Sequence, residues 1–344
     1  MTGSRLDVRV LDVFDDDLLA RWHAVYAGAR EDAVGVEEAQ VFDLPETTVQ
    51  WREPTSDRAR TALVGFVDDE VVAAGVVSLP LLDNLSAGYV EVAVAPAHQR
   101  RGHGSTMLAA CEERATRAGR TILDSEGWWR YEHGTSGLDA GGAACVRFAE
   151  RHGYRLGLSD VQRWLDVPVD DALLDRLAAS AAPHHEAYEL RSWVGPVADD
   201  LAPSWAELDG SLMTEAPVGD IEREAMAADV ARMREEEASI AKQDRWTYHS
   251  VALADGVVVA YTLIVQGNRS RTAYQWGTLV HRDHRGHRLG LALKVANQRL
   301  LQRERPDATR VATWNAEVND HMIAVNDALG YRPVSRMGEF QKRV

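Results

Sequence analysis

Apolar positions along this chain change their spacing in a fixed order, and the order occurs twice. "DDLLARWHAVYAGAR" (Asp16–Arg30) places apolar residues at helical spacing behind an acidic start that suits an N-cap. "DDLAPSWAELDGSLM" and "IEREAMAADVARMREEEASIAKQ" repeat that pattern in the second half and predict two further helices. Each helical stretch gives way to β-branched runs. "LVGFVDDEVVAAGVVSL" (Leu63–Leu79) and "HSVALADGVVVAYTLIV" (His249–Val265) each read as two strands around a tight acidic turn, Asp68-Asp69 or Asp255-Gly256.

The duplication is sharpest at one turn. "VAPAHQRRGHGSTML" (Val94–Leu108) and "VHRDHRGHRLGLALK" (Val280–Lys294) align without gaps at an offset of 186, with Arg288 where the first copy has Gly102. A helix follows each turn, Ser105–Ala118 or Leu291–Glu304, and then a strand, "RTILDSE" or "TRVATWN". Each half closes with a helix ending in glycine plus an aromatic, "VRFAERHGY" or "IAVNDALGY", where the glycine suits a left-handed C-cap. Each half is therefore strand, two helices, three strands, helix, strand, helix, strand. A repeat this long means two whole domains rather than a solenoid. The expected division is 1–178 and 187–344, joined by a linker at 179–186 within "ASAAPHHEAY".

Composition narrows the class. The 344 residues, 45% of them hydrophobic, suffice for two ordinary cores. No apolar run reaches the roughly 20 residues of a membrane span. The start of the chain lacks the pattern of a secretory signal. We read a cytoplasmic protein with no membrane partner. Cys111 and Cys145 make neither a disulfide framework nor a zinc cluster, and read as small core residues. A formal net charge of -15 opposes nucleic acid as a partner and favours cationic ligands such as amines.

The turn between strand and helix carries the chemistry. The helix N-terminus behind Pro96 presents backbone N–H groups to an anion. Gly102 and Gly104 have no Cβ, so a diphosphate can approach the backbone, and Gln99, Arg100 and Arg101 add donors. A glycine pair also serves a tight turn for steric reasons alone, and the turn by itself leaves both readings open.

V-x-P-x-x-Q-R-R-G-H-G between a strand and a helix resembles the acyl-CoA-binding signature of the GNAT superfamily of N-acyltransferases, Q/R-x-x-G-x-G/A. With the element order, the resemblance covers nearly the whole chain twice, in a tandem plan similar to that of mycothiol synthase. It implies an α/β (α+β) fold: two tandem GNAT-type domains, each a mixed, mostly antiparallel sheet with helices on both faces. It also implies acetyl-CoA as co-substrate, a small-molecule amine as acceptor, no metal, and a monomer or homodimer. By the resemblance, Gln99, Arg100, Arg101, Gly102, His103, Gly104 and Ser105 hold the pyrophosphate. Val92, Ala93 and Val94 lie along the pantetheine, with a backbone N–H on the thioester carbonyl.

Glu91 sits three residues before Val94, on the strand face opposite Val90, Val92 and Val94. The family often carries a base here to take the ammonium proton, and Glu91 is the expected catalytic residue. The family's thiolate-protonating tyrosine is replaced by Ala149, and its CoA-contacting asparagine by Gly142. Tyr131, Tyr154 or a water are candidates for the missing acid. "GWWRYEHGTSGLDAGG" reads as a long connection whose Trp128, Trp129, Tyr131 and Glu132 either wall an amine pocket or pack structurally.

The second copy keeps Val280, Arg285, Gly286 and Gly290 of the loop and has Asn319 at the CoA-contacting asparagine position. It lacks both proton-transfer groups, with Gly277 and Asn326 in their places. Arg288 either closes the cradle, contacts a phosphate, or faces solvent. His281, His284 and His287 do not follow a zinc pattern. "MTEAPVGD" (213–220) occupies the second copy's acceptor-wall region. The expectation is direct N-acetyl transfer in a ternary complex, with the chemistry in the N-terminal half. The alternatives are activity in the C-terminal half, or a non-catalytic acyl-CoA sensor.

Overall fold

The computed structural model describes residues 5–140, 143–215 and 217–344. Its elements follow the duplicated order. The first half contains β1 (Asp7–Val10), α1 (Asp16–Val34), α2 (Leu44–Arg52), β2 (Arg58–Val67), β3 (Glu70–Pro80), β4 (Ala87–Val94), α3 (His103–Arg117), β5 (Ile122–Arg130), α4 (Ala144–Arg151) and β6 (Arg155–Asp166). A connecting helix, α5 (Asp171–Ala181), precedes β7 (Glu189–Val194), α6 (Ala202–Glu215), α7 (Val230–Lys242), β8 (Arg245–Ala254), β9 (Val257–Gly267) and β10 (Thr272–Val280). The chain closes with α8 (Leu289–Glu304), β11 (Arg310–Ala316), α9 (Asp320–Leu329) and β12 (Arg332–Arg343). Among the described residues, no helix is long and apolar enough to cross a membrane.

Two compact units result, and they are not two consecutive halves. The first contains the chain up to Asp160 together with Val218–Arg223 and Ser335–Val344; the second contains Val161–Pro217 and Glu224–Val334. The repeat in sequence and the packing of the chain therefore divide at different places. Residues 161–178, N-terminal by the repeat, pack in the second unit, where Leu174 joins Val295, Leu300 and Leu301 in one buried cluster. The expected linker is largely the end of α5 and a short 3-10 turn at Ala182–His184.

In the first unit the strand order is β1-β2-β3-β4-β5-β12. The last strand of the chain thus completes the first unit, pairing antiparallel with β5 from Ser335↔Arg130 to Arg343↔Ile122. Phe340 anchors it at 1% exposure in the core formed with Val90, Leu108, Cys111 and Leu123. Burying one such ring contributes about 1.5–3 kcal/mol. Alternation along the strands divides the core in two. Leu63 and Val90 face α3 and α4, whereas Val64 and Ala93 face Leu19 and Trp22 of α1. Helices thus cover both faces of a mixed sheet, the layering that the family resemblance implied.

Full-length pairing also extends β5 through "GWWR", read from sequence as the start of a connection. A second expectation changes as well. Helix was expected from Ile221, but α7 begins only at Val230, capped by Asp229, whose carboxylate accepts from the Ala231 and Arg232 amides. Residues 221–223 are held in the first unit instead. The Glu222 amide donates to the Gln341 side chain at 3.1 Å, and Asp220 N–H donates to Gly157 O at 3.0 Å. Tertiary hydrogen bonds outweigh a helical propensity of a few tenths of a kcal/mol per residue.

The second unit orders its strands β11-β10-β9-β8-β7, with the later part of β6 beyond β11. Trp205, Met233 and Tyr261 fill the side under α6 and α7, and Val295, Val311 and Tyr331 fill the other.

Candidate active site

β4 and β5 run parallel and pair at only three positions, Ala87↔Ile122, Gly88↔Leu123 and Tyr89↔Asp124. Beyond Tyr89 the strands separate, while β4 stays paired with β3 as far as Ala73↔Val94. The Ala95 N–H bonds back to Val72 O at 2.9 Å, which makes the alternate residues Ala93 and Glu91 the ones bonded to β3. The same alternation turns the backbone of Val92 and Val94 toward the gap. That leaves strand-edge donors and acceptors facing an opening in the sheet, a suitable track for an extended amide-containing ligand.

One face of this gap is acidic. Glu91 Oε1 accepts from the Arg30 guanidinium at 2.7 Å, and its Oε2 accepts from the Tyr26 hydroxyl at 2.9 Å and the Tyr89 hydroxyl at 3.0 Å. The ion pair is 11% and 12% exposed at its two side chains. Arg30 also lies over the Trp128 ring, 4.0 Å from its centroid. Tyr89↔Asp124 is the last pair of the ladder, so Glu126 stands two residues beyond it on β5, as Glu91 does on β4, and on the same face. Burial, with repulsion from Glu91, Glu339 and Asp160 only partly offset by Arg30, pushes the Glu126 carboxyl up to about 8. Asp160 is pushed up to about 7 by burial and by Glu339. Burial and the neighbouring carboxylates also raise the Tyr26 and Tyr89 phenols above their ordinary range.

The turn after β4 leads the chain into α3. Arg100 and Gly102 both adopt positive φ, 61° and 90°, and Gly102 is the N-cap. A Cβ on Gly102 would meet nothing within 4 Å, so open space lies over the backbone there. Thr106 N–H bonds to Gly102 O, which leaves the amides of His103, Gly104 and Ser105 with no carbonyl a turn behind them. Among the described residues, the Arg100 and Arg101 guanidinium groups have no hydrogen-bond or ion-pair partner. Gln99 is turned toward the strand, donating to Val94 O at 3.3 Å. The Ser105 hydroxyl lies 2.9 Å from His152 Nε2. Open space, three amides and two uncommitted guanidinium groups fit a diphosphate.

The comparisons agree with this geometry. The model of the Acetyltransferase (GNAT) family matches residues 22–126, which run from α1 through the splayed strands. A tandem GNAT protein from the clavulanic acid biosynthesis pathway, solved without AcCoA, superposes with a TM-score of 0.77 at 28% identity, over 98% of each chain. Residues 22–126 thus match the GNAT acetyltransferase family, and the chain as a whole is similar to a tandem GNAT protein. Two more distant structures share the fold. A GCN5-related N-acetyltransferase from Sphaerobacter thermophilus covers 100% of this chain and 97% of its own at 16% identity, TM-score 0.65. A glucosamine N-acetyltransferase region of a fungal multi-domain β-N-acetylglucosaminidase covers 99% of this chain and 38% of its own at 15% identity, TM-score 0.65. No curated protein sequence matches the chain.

The second copy of the repeat keeps the backbone and changes what surrounds it. β10 and β11 also pair only from Thr272↔Arg310 to Gln275↔Thr313, and β10 then bulges against β9 between Gln275 and Thr278. Gly277, the counterpart of Glu91, lies in that bulge. A Cβ there would sit 2.4 Å from the Tyr261 hydroxyl, which donates to Asp209 at 2.7 Å. In the turn, Gly286 and Arg288 take the positive φ angles, 86° and 51°. The glycine and the arginine have exchanged places along one backbone path. Arg288, the N-cap of α8, reaches back to Ser180 O at 3.0 Å. Arg285 and Arg282 are paired to Glu215 at 2.8 and 3.1 Å, so a side chain of the unit already holds the charges of this turn.

The other sequence candidates are placed as follows. Val280 continues into the second turn, and Gly290 opens α8 behind it. The Asn319 side chain caps α9, accepting from the Met322 amide at 3.1 Å. His284 meets the Tyr188 ring edge-on and His287 meets it tilted, and no group of three or more potential metal ligands occurs among the described residues. Trp128 faces Arg30 in the site, whereas Trp129 packs on the core and Tyr131 lies against Arg336. Glu132 is exposed. Tyr154 is buried in the core at 2% exposure, and Ala149 is buried as well. Gly142 lies outside the described residues, as do Ala216 and the side chain of Met213 in "MTEAPVGD". Sequence reasoning missed Arg30, Tyr26 and Glu126. Tyr26 and Arg30 recur at four-residue spacing on α1, and Glu126 ends the strand "RTILDSE", so each was visible without its partners.

Proposed function

We propose that the first unit transfers an acetyl group from acetyl-CoA directly to the primary amine of a small molecule in a ternary complex. The observation that carries this is the single gap that brings together strand backbone at Val92 and Val94 turned away from β3, the open turn at Gly102, and the acidic face. On this reading Arg100 and Arg101 neutralise the diphosphate while the α3 amides bond to its oxygens. The pantetheine lies along Val92–Val94. An N–H from that strand, beside Ala93, donates to the thioester oxygen as negative charge grows on it. The amine enters on the Glu91 face as an ammonium, drawn by carboxylates, and a carboxylate of that face takes its proton. Glu91 is the one the sequence singles out. No tyrosine occupies the usual acid position, so the leaving thiolate takes its proton from the amine nitrogen or from water.

The second unit, on the same reading, does not turn over acetyl-CoA. Its loop arginines are committed to Glu215, and Tyr261 stands where a base would have to be. The test is a panel of primary amines incubated with acetyl-CoA and the full chain, with thiol release measured. At least one amine should release CoA, and Glu91→Gln should lower kcat/KM for it by 10-fold or more. If no amine consumes acetyl-CoA while the cofactor binds in titration calorimetry, the transfer reading is wrong and a binding or sensing role replaces it.

A further inference from the structure

Glu91 is an unsuitable proton acceptor as it stands, because its oxygens already accept from Arg30, Tyr26 and Tyr89. A proton arriving there would have to break an ion pair that is nearly sealed from water. Glu126 differs in its bonding. Among the described residues, no hydrogen bond or ion pair engages its carboxylate. By the ladder register it stands across the splayed gap from Glu91, where the pairing of β4 with β5 has ended.

We propose that Glu126 is the base that deprotonates the acceptor ammonium, and that Glu91 with Arg30 is a positioning pair. The inference rests on the acetyl-transfer reading of the first unit and specifies its chemistry. The ammonium gives a proton to the Glu126 carboxylate. The freed nitrogen lone pair forms the C–N bond at the thioester carbon. The tetrahedral adduct collapses, the C–S bond pair leaves on sulfur, and the second nitrogen proton ends on that thiolate. Glu126 then returns its proton to solvent, so the sum is ammonium plus acetyl-CoA giving amide, CoA thiol and one proton.

The surroundings support the assignment. Glu126 is faced by Glu91 and Tyr89 of β4, Tyr26 and Arg30 of α1, Glu339 of β12 and Asp160 of β6. Arg223 is ion-paired to Glu339 and so is spent there. Carboxylates outnumber cations around it, which raises its proton affinity toward that of an ammonium. An ordinary glutamate near 4.3 would take such a proton against a gap of roughly five or six units. A base poised near working pH narrows that gap. The second unit has no such pair, since Gly277 stands where Glu91 does.

Two measurements on the full chain test this. With glutamate δ-carbons labelled by 13C and assigned through Glu126→Gln, the Glu126 carboxyl should titrate near 8. A midpoint below about 5 overturns the proposal. For an amine that releases CoA, kcat/KM should rise with pH to a plateau above about 8, and that limb should stay in place when a second accepted amine of different basicity is used. Glu126→Gln should remove the limb and lower kcat 100-fold or more, with KM for acetyl-CoA unchanged. Glu126→Asp should restore part of the rate and the limb. Glu91→Gln should keep the limb while raising KM for the amine. If Glu126→Gln keeps both rate and limb, Glu126 is not the base although transfer stands. If no amine releases CoA, transfer itself fails and the assignment fails with it.

Discussion

The two turns of this chain follow one backbone path and present opposite electrostatics. In the first, among the described residues, Arg100 and Arg101 have no hydrogen-bond or ion-pair partner, and space lies over Gly102. In the second, Arg282 and Arg285 are held by Glu215, and Arg288 is tied to Ser180 O. On the proposed reading the second turn takes no ligand and must still satisfy its charges. An internal carboxylate does so without the entropy cost of recruiting an anion. Motif spacing alone is therefore a weaker guide to binding than the partners of the motif's side chains.

The largest expected effect breaks this comparison directly. Arg100→Gln with Arg101→Gln removes two uncommitted guanidinium groups, each able to make a charge-assisted bond of about 1.5–3 kcal/mol. Acetyl-CoA affinity measured by titration calorimetry should fall about 100-fold. Arg282→Gln with Arg285→Gln should change it less than twofold. Equal losses from the two pairs would mean that both turns take the cofactor.

Next is Gly277. Adding a methyl group 2.4 Å from the Tyr261 hydroxyl forces that ring, which is fully buried and bonded to Asp209, to move. Gly277→Ala should cost about 3 kcal/mol in urea unfolding, the upper part of the range for overpacking. Glu91 cannot be transplanted into the second copy for the same reason. An unchanged unfolding midpoint would show that Tyr261 yields easily and that the second site is not closed from that side.

The elements were legible because periodicity and turn chemistry are local. The acidic turn of the first hairpin, the helix following each Gly-rich turn, and the left-handed Gly330 that ends α9 all depend on residues within one turn of each other. Glu91 was legible through its spacing from Val94. The pairing of β12 with β5 was not, since it joins residues about 200 positions apart and no local pattern encodes it. That pairing also places Glu339 opposite Glu126. The acidic face thus draws on α1, β4, β5 and β12, and a linear reading finds one carboxylate where the fold gathers several. The helix expected from Ile221 failed for the same reason, because contacts to Gly157 and Gln341 decide that segment.

Lys294 offers a third contrast. It stands where the first copy has Leu108, buried at 3% exposure, donating to Asn326 Oδ1 at 2.7 Å, and Asn326 donates in turn to Asn315. Burial pushes its ammonium down to about 7. Between there and the unfolded value near 10.4 the unfolded chain binds more protons, so stability rises with pH across that window. Relative to Lys294→Met, the wild type should gain about 2 kcal/mol between pH 7 and pH 9 in denaturant unfolding. A pH-independent difference would mean that Lys294 stays charged inside the fold, with Asn326 and the Tyr331 ring stabilising it.

The smallest expected effect concerns Arg288 itself. A non-glycine residue in the left-handed region costs about 1 kcal/mol, and Arg288→Gly removes that strain. It also removes the bond to Ser180 O, which contributes about 0.5–1.5 kcal/mol. The two changes nearly cancel, so the unfolding free energy should shift by less than about 1 kcal/mol. The substitution makes the second turn match the family signature, yet Arg282 and Arg285 keep their partner in Glu215. Calorimetry should therefore still find one acetyl-CoA per chain. A second binding event would show that Arg288 alone had closed the turn. It would move the decisive difference between the copies from the carboxylate that neutralises the loop to the side chain that stands in it.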